Sequence, residues 1–227
     1  MLKIGHRGAS SHEPENTLRS FRRAVELGAE MIEFDVRLCG SGELVVIHDE
    51  TVNRTTDGTG AVSDLGLREL RELDAGSGEK VPLLSEVLDE FRGKAGIDIE
   101  LKGPDTAEPV SEMLAEQIGR GRWRAEDIIV SSFMPVEILQ ARELLKAIPL
   151  GFLFEDHPSM GVDFTSEIGI KYVLPRKDLI DSKMVEMAGS AGLGIIAWTV
   201  NDKAEVLKLA GLGVSGMISD RPELLRY

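Results

Sequence analysis

The chain has 227 residues, 42% of them apolar and 29% charged, and this composition excludes disordered and fibrous proteins. The 39 acidic residues outnumber the 26 basic ones, and the net charge of −13 argues against nucleic acid and anionic membrane surfaces as partners. The single cysteine, Cys39, excludes an internal disulfide framework.

Short β-rich runs alternate with segments of helical period along the whole chain. The predicted strands are Lys3–Gly5, Met31–Leu38, Ile97–Leu101, Ile128–Ser132, Leu150–Phe154, Lys171–Leu174, Gly194–Val200 and Gly216–Ser219. The predicted helices are Thr17–Leu27, Leu84–Phe91, Ala107–Arg120, Pro135–Lys146, Ser182–Ala191 and Ala204–Ala210. Between residues 154 and 171 only a weak helix is expected, because Pro158 and Gly161 interrupt the pattern. Eight strands separated mostly by helices predict a TIM (β/α)8 barrel, an α/β fold of roughly 250 residues.

The alternation is broken after the second strand. Gly40-Ser41-Gly42 predicts a turn that joins this strand to Glu43–His48 as a hairpin. The next segment, from about residue 50 to about residue 80, is polar and rich in turns. We therefore predict a single domain over residues 1–227, with a small insertion above the barrel mouth, after the second barrel strand and its hairpin partner.

The chain shows no basic region followed by an apolar run of signal-peptide length. Its longest apolar stretches, such as Ile195-Ile196-Ala197-Trp198, are far shorter than the ~20 residues that span a bilayer. These features favour a cytoplasmic protein without stable membrane association.

Acidic side chains cluster on two predicted strands, and in a TIM barrel the active site lies at the carboxyl ends of the strands. Strand alternation places Glu33 and Asp35 on one face of the second strand, and it places Asp98, Glu100 and Lys102 on one face of the next barrel strand. Inward carboxylates need a counter-charge. Three carboxylates on neighbouring strands form an oxygen site suited to Mg²⁺, Mn²⁺ or Ca²⁺. The alternative is a buried ion-pair network with the nearby basic side chains.

Two of the four histidines lie beside these carboxylates, His6 at the end of the first strand and His48 at the end of the hairpin. Imidazole titrates near neutral pH, so two histidines at one mouth predict a general acid and a general base. A structural role is the alternative for each histidine alone. Zinc is less favoured, since neither His-x-His nor His-Glu-x-x-His occurs. His12 and His157 have no such surroundings and are expected in surface or loop positions.

Two basic side chains and one aromatic side chain complete the predicted mouth. Arg7 and Lys102 would hold an anionic group of the phosphate type together with a divalent cation. Gly5 and Gly8 predict that either the substrate or a neighbouring strand approaches the backbone closely at the end of the first strand. Trp198 ends the seventh barrel strand and is either an aromatic wall of the site or part of the core.

Seven parts of the sequence resemble the glycerophosphodiester phosphodiesterase family, within the phosphatidylinositol phospholipase C-like phosphodiesterases. They are Gly5-His6-Arg7-Gly8-Ala9, Glu13-Pro14-Glu15-Asn16-Thr17, Glu33-Phe34-Asp35-Val36, His48-Asp49-Glu50-Thr51 with Arg54-Thr55-Thr56, Glu100-Leu101-Lys102, Ala197-Trp198-Thr199-Val200-Asn201 and Ser219-Asp220-Arg221-Pro222. Each part alone is weak evidence, but seven in order from residue 5 to residue 222 are very specific.

The resemblance implies a TIM barrel with a small insertion. It also implies one divalent metal ion, Mg²⁺ or Ca²⁺ with Mn²⁺ as a further option, held by Glu33, Asp35 and Glu100. It identifies His6 and His48 with the acid/base histidines of the family.

The same resemblance assigns Arg7 and Lys102 to contacts with the phosphate. The implied reaction is hydrolysis of a glycerophosphodiester to sn-glycerol 3-phosphate and an alcohol. The attacking oxygen belongs either to water or to the glycerol of the substrate, and in the second case a cyclic phosphate forms first. The preferred alcohol, the order of the two histidines and the oligomeric state are left open.

Two rival functions follow from the same residues. Phosphatidylinositol phospholipases C and sphingomyelinase D-type lipases look similar around the histidines and the acidic site, but they act on membrane lipids and should have an apolar or basic rim. The net charge of −13 favours a soluble, small-molecule diester instead. A catalytically idle barrel that serves as a binding module would typically lack a metal ligand or a histidine, and this chain has all five.

Overall fold

In the computed structural model, which describes residues 1–226, eight parallel strands close into a ring with helices on its outer side. The strands are β1 (Leu2–His6), β2 (Met31–Leu38), β3 (Leu44–Val46), β4 (Gly96–Leu101), β5 (Ile128–Ser132), β6 (Leu150–Phe154), β7 (Tyr172–Pro175), β8 (Gly194–Ala197) and β9 (Gly216–Ser219). The helices are α1 (Leu18–Glu26), α2 (Leu67–Glu72), α3 (Leu84–Phe91), α4 (Ala107–Gly119), α5 (Pro135–Leu144), α6 (Pro158–Glu167), α7 (Ser182–Ser190) and α8 (Lys203–Leu212). The predicted TIM barrel is confirmed.

The ring closes because β1 pairs in parallel with both β2 and β9. From β2 it continues through β4, β5, β6, β7 and β8 back to β9. The short β3 pairs antiparallel with β2 and lies outside the ring, as the predicted hairpin requires. The carboxyl ends of all eight ring strands therefore lie at one rim, where the sequence places the polar side chains.

Side-chain alternation divides each ring strand between two environments. On β2, Phe34 faces outward and packs on Phe21 of α1, with ring centroids 5.5 Å apart, and Phe21 in turn contacts Phe91 of α3. The apolar residues that fill the inside of the barrel are Ile4, Met31, Ile129, Leu153, Leu174, Ile196 and Ile218. Because Phe34 packs against the helices outside the barrel, its neighbours Glu33 and Asp35 point into the barrel.

The helix ends follow local sequence signals, with one correction. The Thr17 side chain accepts a hydrogen bond from the Ser20 amide and caps α1, and Asp202 caps α8 in the same way. The helix expected to be weak between residues 154 and 171 is a ten-residue helix, α6. Pro158 starts it, because the first helical turn needs no intrahelical N–H bond. The strand predicted to reach Val200 ends at Ala197.

The segment from residue 50 to residue 80 contains α2 and forms a small core with the hairpin. Val52, Val62 and Leu70 are buried and pack with Val45 and Ile47. This packing anchors the segment beside the rim of the barrel. Within residues 1–226, no helix combines the length and the apolar character needed to cross a membrane.

Candidate active site

Three carboxylates from two neighbouring strands meet at the mouth of the barrel. The parallel register sets Asp35 of β2 beside Glu100 of β4, and Glu33 beside Asp98. One oxygen of each of Glu33, Asp35 and Glu100 lies within 4.8 Å of the others, and all three residues are buried. Asp98 instead accepts a hydrogen bond from Ser131 Oγ at 2.8 Å. This acidic triad of Glu33, Asp35 and Glu100 could hold a metal ion.

Burial works against the ionisation of most of these carboxyls. Burial, together with the adjacent carboxylates, raises the pKa of Glu33 well above its usual range. The same causes raise the pKa of Glu100 to about 8, and burial raises that of Asp98 to about 6. A bound cation would favour the charged forms of these carboxyls. The basic side chains nearby do not by themselves keep all of them ionised.

Asp35 differs because positive charges surround it. Burial opposes its ionisation, but Arg7, His48 and Lys102 together outweigh burial and lower its pKa. Arg7 Nε lies 3.3 Å from Oδ2, which also accepts a hydrogen bond from Asn16 at 2.8 Å. The other oxygen, Oδ1, is buried and accepts no hydrogen bond from any described residue. A divalent cation would satisfy this oxygen, and an all-carboxylate donor set suits hard cations, so the residues fit one.

Arg7 and Lys102 lie where the sequence predicts them, against the acidic triad. The Arg7 backbone N–H donates to Glu33 Oε2 at 2.9 Å, and its Nη1 donates to Glu15 Oε1 at 2.8 Å. Lys102 Nζ donates to Glu100 Oε1 at 2.6 Å. The ion-pair network expected as the alternative is therefore present. It sets two cations against three triad carboxyls, so these two cations alone cannot balance all three carboxyls in their charged forms.

The backbone at Arg7 follows a tight turn. Arg7 and Gly8 have φ values of 51° and 86°, in the left-handed region. A side chain at Gly8 would collide with Ser20, and a Cβ at Gly5 would lie 2.7 Å from the Gly8 carbonyl oxygen. The backbone is closely approached at both glycines, but by α1 and by the turn itself and not by a neighbouring strand. The turn aims the Arg7 N–H at Glu33.

Each of the two mouth histidines is bound by an aspartate through the same ring nitrogen. His6 Nδ1 lies 2.6 Å from Asp220 Oδ1, and His48 Nδ1 lies 2.6 Å from Asp49 Oδ1. An aspartate at Nδ1 fixes the orientation of the ring and the position of its proton, and it leaves Nε2 for another partner. Both rings line the same cavity as Glu33 and Glu100 of the acidic triad.

The surroundings shift the pKa values of Asp220 and His48 away from those of the isolated groups. Burial opposes the ionisation of Asp220, but hydrogen bonds from His6 and Asn201 lower its pKa to about 2. Burial lowers the pKa of His48, although Asp35 and Asp49 act in the opposite direction. At neutral pH the aspartates are thus ionised, and burial favours the uncharged form of His48.

Arg54, from the segment of residues 50–80, joins two parts of the mouth. Its guanidinium donates to Asp49 Oδ2 at 2.7 Å and to Asp49 Oδ1 at 2.9 Å. It also donates to the two oxygens of Glu15 at 2.7 and 2.8 Å. Since Glu15 also accepts from Arg7, one side chain connects the aspartate that orients His48 with the arginine beside the triad.

The side chains of the mouth enclose a cavity of about 280 Å³. Trp198 forms part of its wall, and its Nε1 donates to the Leu174 carbonyl oxygen at 2.8 Å. The indole meets the Phe133 ring edge to face, with centroids 5.4 Å apart. Both alternatives for Trp198 therefore hold, because it is a wall of the cavity and is fixed by a structural hydrogen bond.

The structure brings together all eight residues that the sequence singles out: His6, Arg7, Glu33, Asp35, His48, Glu100, Lys102 and Trp198. His12 lies apart, where its Nε2 is 3.1 Å from Glu223 Oε1. The sequence analysis assigns no function in the site to five further contributors: Glu15, Asn16, Asp49, Arg54 and Asp220. All five fall inside the family-like segments, which was the available signal.

Fold and site together define an enzyme of the TIM-barrel class, with an acidic cavity at the carboxyl ends of the strands. The chain belongs to the glycerophosphoryl diester phosphodiesterase family, whose model matches residues 6–224. It is similar to a glycerophosphodiester phosphodiesterase of Caldanaerobacter subterraneus, with 36% identity over 233 residues that cover 99% of this chain and 96% of the relative.

Two solved structures show the same likeness in three dimensions. A phosphodiesterase of Oleispira antarctica in complex with the product sn-glycerol-3-phosphate has a TM-score of 0.90 and 30% identity, covering 100% of this chain and 95% of that chain. A glycerophosphodiester phosphodiesterase from Agrobacterium tumefaciens has a TM-score of 0.84 and 31% identity, covering 99% of both chains. Each shares the barrel over the full length described.

Proposed function

We propose that this protein hydrolyses glycerophosphodiesters to sn-glycerol 3-phosphate and an alcohol. The observation that carries the proposal is the joint arrangement of the acidic triad and two aspartate-bound histidines around one cavity. The family membership supports it, as does the product named for the Oleispira antarctica relative. An idle binding module would not need to retain both histidines and all three carboxylates.

The metal part of the proposal assigns Glu33, Asp35 and Glu100 as ligands of one divalent cation, Mg²⁺, Ca²⁺ or Mn²⁺. Support comes from the buried Asp35 Oδ1 and from the all-oxygen donor set. When bound, such a cation supplies positive charge that polarises phosphoryl oxygens and stabilises the charge that develops on them.

Arg7 and Lys102 hold the phosphodiester by charge-assisted hydrogen bonds in this proposal. Both line the cavity and both already pair with triad carboxylates or their neighbours. Arg7→Ala should therefore lower kcat/KM by an amount equivalent to ~2 kcal/mol, the loss of one charge-assisted contact. The local charges, and not the net charge of −13, then govern binding, because salt screens distant charges beyond about 8 Å.

His6 and His48 carry out the proton transfers. One removes a proton from the attacking oxygen, and the other gives a proton to the oxygen of the leaving alcohol. Asp220 and Asp49 keep each Nδ1 engaged, so that Nε2 is the nitrogen that exchanges protons with the substrate.

The test is the release of sn-glycerol 3-phosphate from glycerophosphocholine by the purified protein. Turnover should disappear after exhaustive EDTA treatment and return when Mg²⁺ or Ca²⁺ is added back. A protein that releases no glycerol phosphate under any of these conditions contradicts the function. Turnover that survives EDTA, in protein shown by elemental analysis to be free of metal, contradicts the metal assignment alone.

A further inference from the structure

A second cavity, of about 410 Å³, lies directly beside the catalytic one. The two cavities share Phe133, Leu153 and Glu155 as lining residues, so they are adjoining parts of one cleft. The second cavity continues from the rim between the starts of α5 and α6. We name it the side crevice.

The side crevice is mainly apolar. Its remaining lining includes Phe152, Phe154, Met160 and Phe164, and the rings of Phe152 and Phe164 pack with centroids 4.6 Å apart. Met160 on α6 is 67% exposed at the edge of the crevice. Met160 continues the aromatic lining out to the surface, and a contiguous apolar groove of this kind is typical of a ligand-binding site.

We propose that the side crevice binds the alcohol half of the substrate, and that the preferred alcohol carries a single aliphatic chain. This inference rests on the proposed function. The product proposed above, sn-glycerol 3-phosphate, has free glycerol hydroxyls, so an apolar chain must lie on the other ester of the phosphate. A crevice that adjoins the phosphate cavity is the place where such a chain is removed from water.

Polar alcohols suit the side crevice less well. A polyol such as inositol would leave several hydroxyls against aromatic rings, where unpaired polar groups are costly. A cationic alcohol such as choline would find two carboxylates at the crevice, Glu155 and Asp156. Both are exposed, and Glu155 lies 4.0 Å from Arg176, so solvent and a neighbouring cation weaken their attraction.

The reaction stays a simple hydrolysis. The oxygen of water bonds to phosphorus, and the bond between phosphorus and the oxygen of the aliphatic alcohol breaks. The alcohol leaves with one proton, and sn-glycerol 3-phosphate keeps the oxygen that came from water.

The experiment measures kcat and KM for diesters of sn-glycerol 3-phosphate with ethanol, butanol, hexanol, octanol and decanol, all below their micellar concentrations. Each methylene that enters the crevice should raise kcat/KM by up to about fourfold, the equivalent of ~0.8 kcal/mol, until the crevice is full. The gain should appear mostly in KM, because the chain contacts the ground state and the transition state alike.

Matched variants connect the gain to the crevice. Met160→Glu should reduce the ratio of kcat/KM for the octyl diester to that for the ethyl diester at least about tenfold, and Met160→Leu should preserve this ratio. Leu207→Glu makes a similar change on α8, at a side chain that is 52% exposed, and should leave both substrates unaffected.

Binding provides a readout that does not depend on turnover. Calorimetric titration of the His48→Ala protein with the intact diesters should give dissociation constants that fall as the chain grows longer. In the double variant that also carries Met160→Glu, the dissociation constants should not depend on chain length. Absence of turnover with glycerophosphocholine and with every alkanol diester contradicts the proposed function, whereas the binding series still decides the role of the crevice.

Three results would overturn the assignment of the crevice. The first is a kcat/KM and a dissociation constant that do not depend on chain length, or that depend on it equally in Met160→Glu. The second is faster turnover of glycerophosphocholine than of every chain-bearing diester. The third is a preference for lysophosphatidylcholine, with its chain on the glycerol, over an alkanol diester of matched length.

Discussion

The inside of the barrel has two unlike halves. On β2 and β4 the inward side chains are the carboxylates Glu33, Asp35, Asp98 and Glu100, with Met31 as the one apolar side chain at the start of β2. On the opposite strands the inward side chains are aliphatic, namely Leu153, Leu174, Ile196 and Ile218. Both halves are buried, and both belong to one closed sheet, so their chemical difference does not come from exposure or from the backbone.

The comparison separates residues that stabilise the fold from residues that the fold has to tolerate. The aliphatic half gains free energy from burial, whereas burial raises the pKa of Glu33 and Glu100 and so opposes their charged forms. Carboxylates in such surroundings are kept for chemistry and not for stability. Substitutions in the two halves should therefore have opposite signatures.

The largest effect is expected in the acidic half. Glu33→Gln and Glu100→Gln should each abolish hydrolysis of glycerophosphocholine, because a neutral amide removes one negative charge from the cation site. The circular dichroism spectrum should stay that of the folded protein. Activity within about tenfold of the unaltered protein in either variant would show that this carboxylate is no ligand.

The matched substitution in the aliphatic half is Ile196→Ala. Ile196 is fully buried and does not line the catalytic cavity among the described residues, so its truncation leaves a void in the core. The free energy of unfolding should fall by ~2–5 kcal/mol in urea titrations, with kcat nearly unchanged at temperatures where the variant is folded. A loss of kcat as deep as that of Glu100→Gln would erase the distinction between the halves.

The two histidines lie at the edge of the acidic half. Replacing either one should lower kcat less than replacing a proposed metal ligand. His6→Ala and His48→Ala should each lower kcat at least ~10²-fold, the usual contribution of a general acid or base. The loss of kcat in the double variant should be far smaller than the product of the two single losses, because the pair acts as a unit. His12→Ala is the control, since His12 pairs with Glu223 outside the cavity. A single variant with normal kcat would identify that histidine as structural.

Arg54 lies outside the barrel and contacts neither half directly. It acts on the site through its hydrogen bonds to Asp49 and Glu15. Arg54→Ala should lower kcat about tenfold, less than the loss of His48, and guanidinium ion in solution should restore part of it. Arg54→Lys should recover little, since lysine cannot form both two-oxygen contacts. If guanidinium has no effect and only thermal stability drops, Arg54 is a structural residue.

The sequence shows much of the acidic half because its signals are local. Alternation on one strand is enough to put Glu33 and Asp35 on the same face, and the end of an apolar run marks His6. The partners of these groups depend on distant parts of the chain. Asp220 reaches His6 across 214 positions, and Arg54 reaches Glu15 across 39, so no periodicity or spacing could pair them.

The fold follows the same division between local and tertiary signals. All eight ring strands are visible as short apolar runs between helices. The helix after β6 is stronger than its sequence pattern predicts, because Pro158 does not interrupt the helix but starts it. The side crevice was also invisible in the sequence, since Phe133, Phe152 and Phe164 come together only when α5 and α6 pack on the barrel.

The central claim is that the acidic half is a cation site that lowers the stability of the metal-free fold. The most direct test is to measure the free energy of unfolding of the metal-free protein and of its Glu100→Gln variant, near pH 5 and near pH 8. The pKa of Glu100 is about 8 in the folded protein against a usual value of 4.5, so between these values unfolding releases a proton and rising pH favours unfolding. The unaltered protein should therefore lose stability relative to Glu100→Gln as the pH rises, and saturating Mg²⁺ or Ca²⁺ should remove the loss. A difference between the two proteins that is the same at both pH values, and that neither cation changes, would contradict the account.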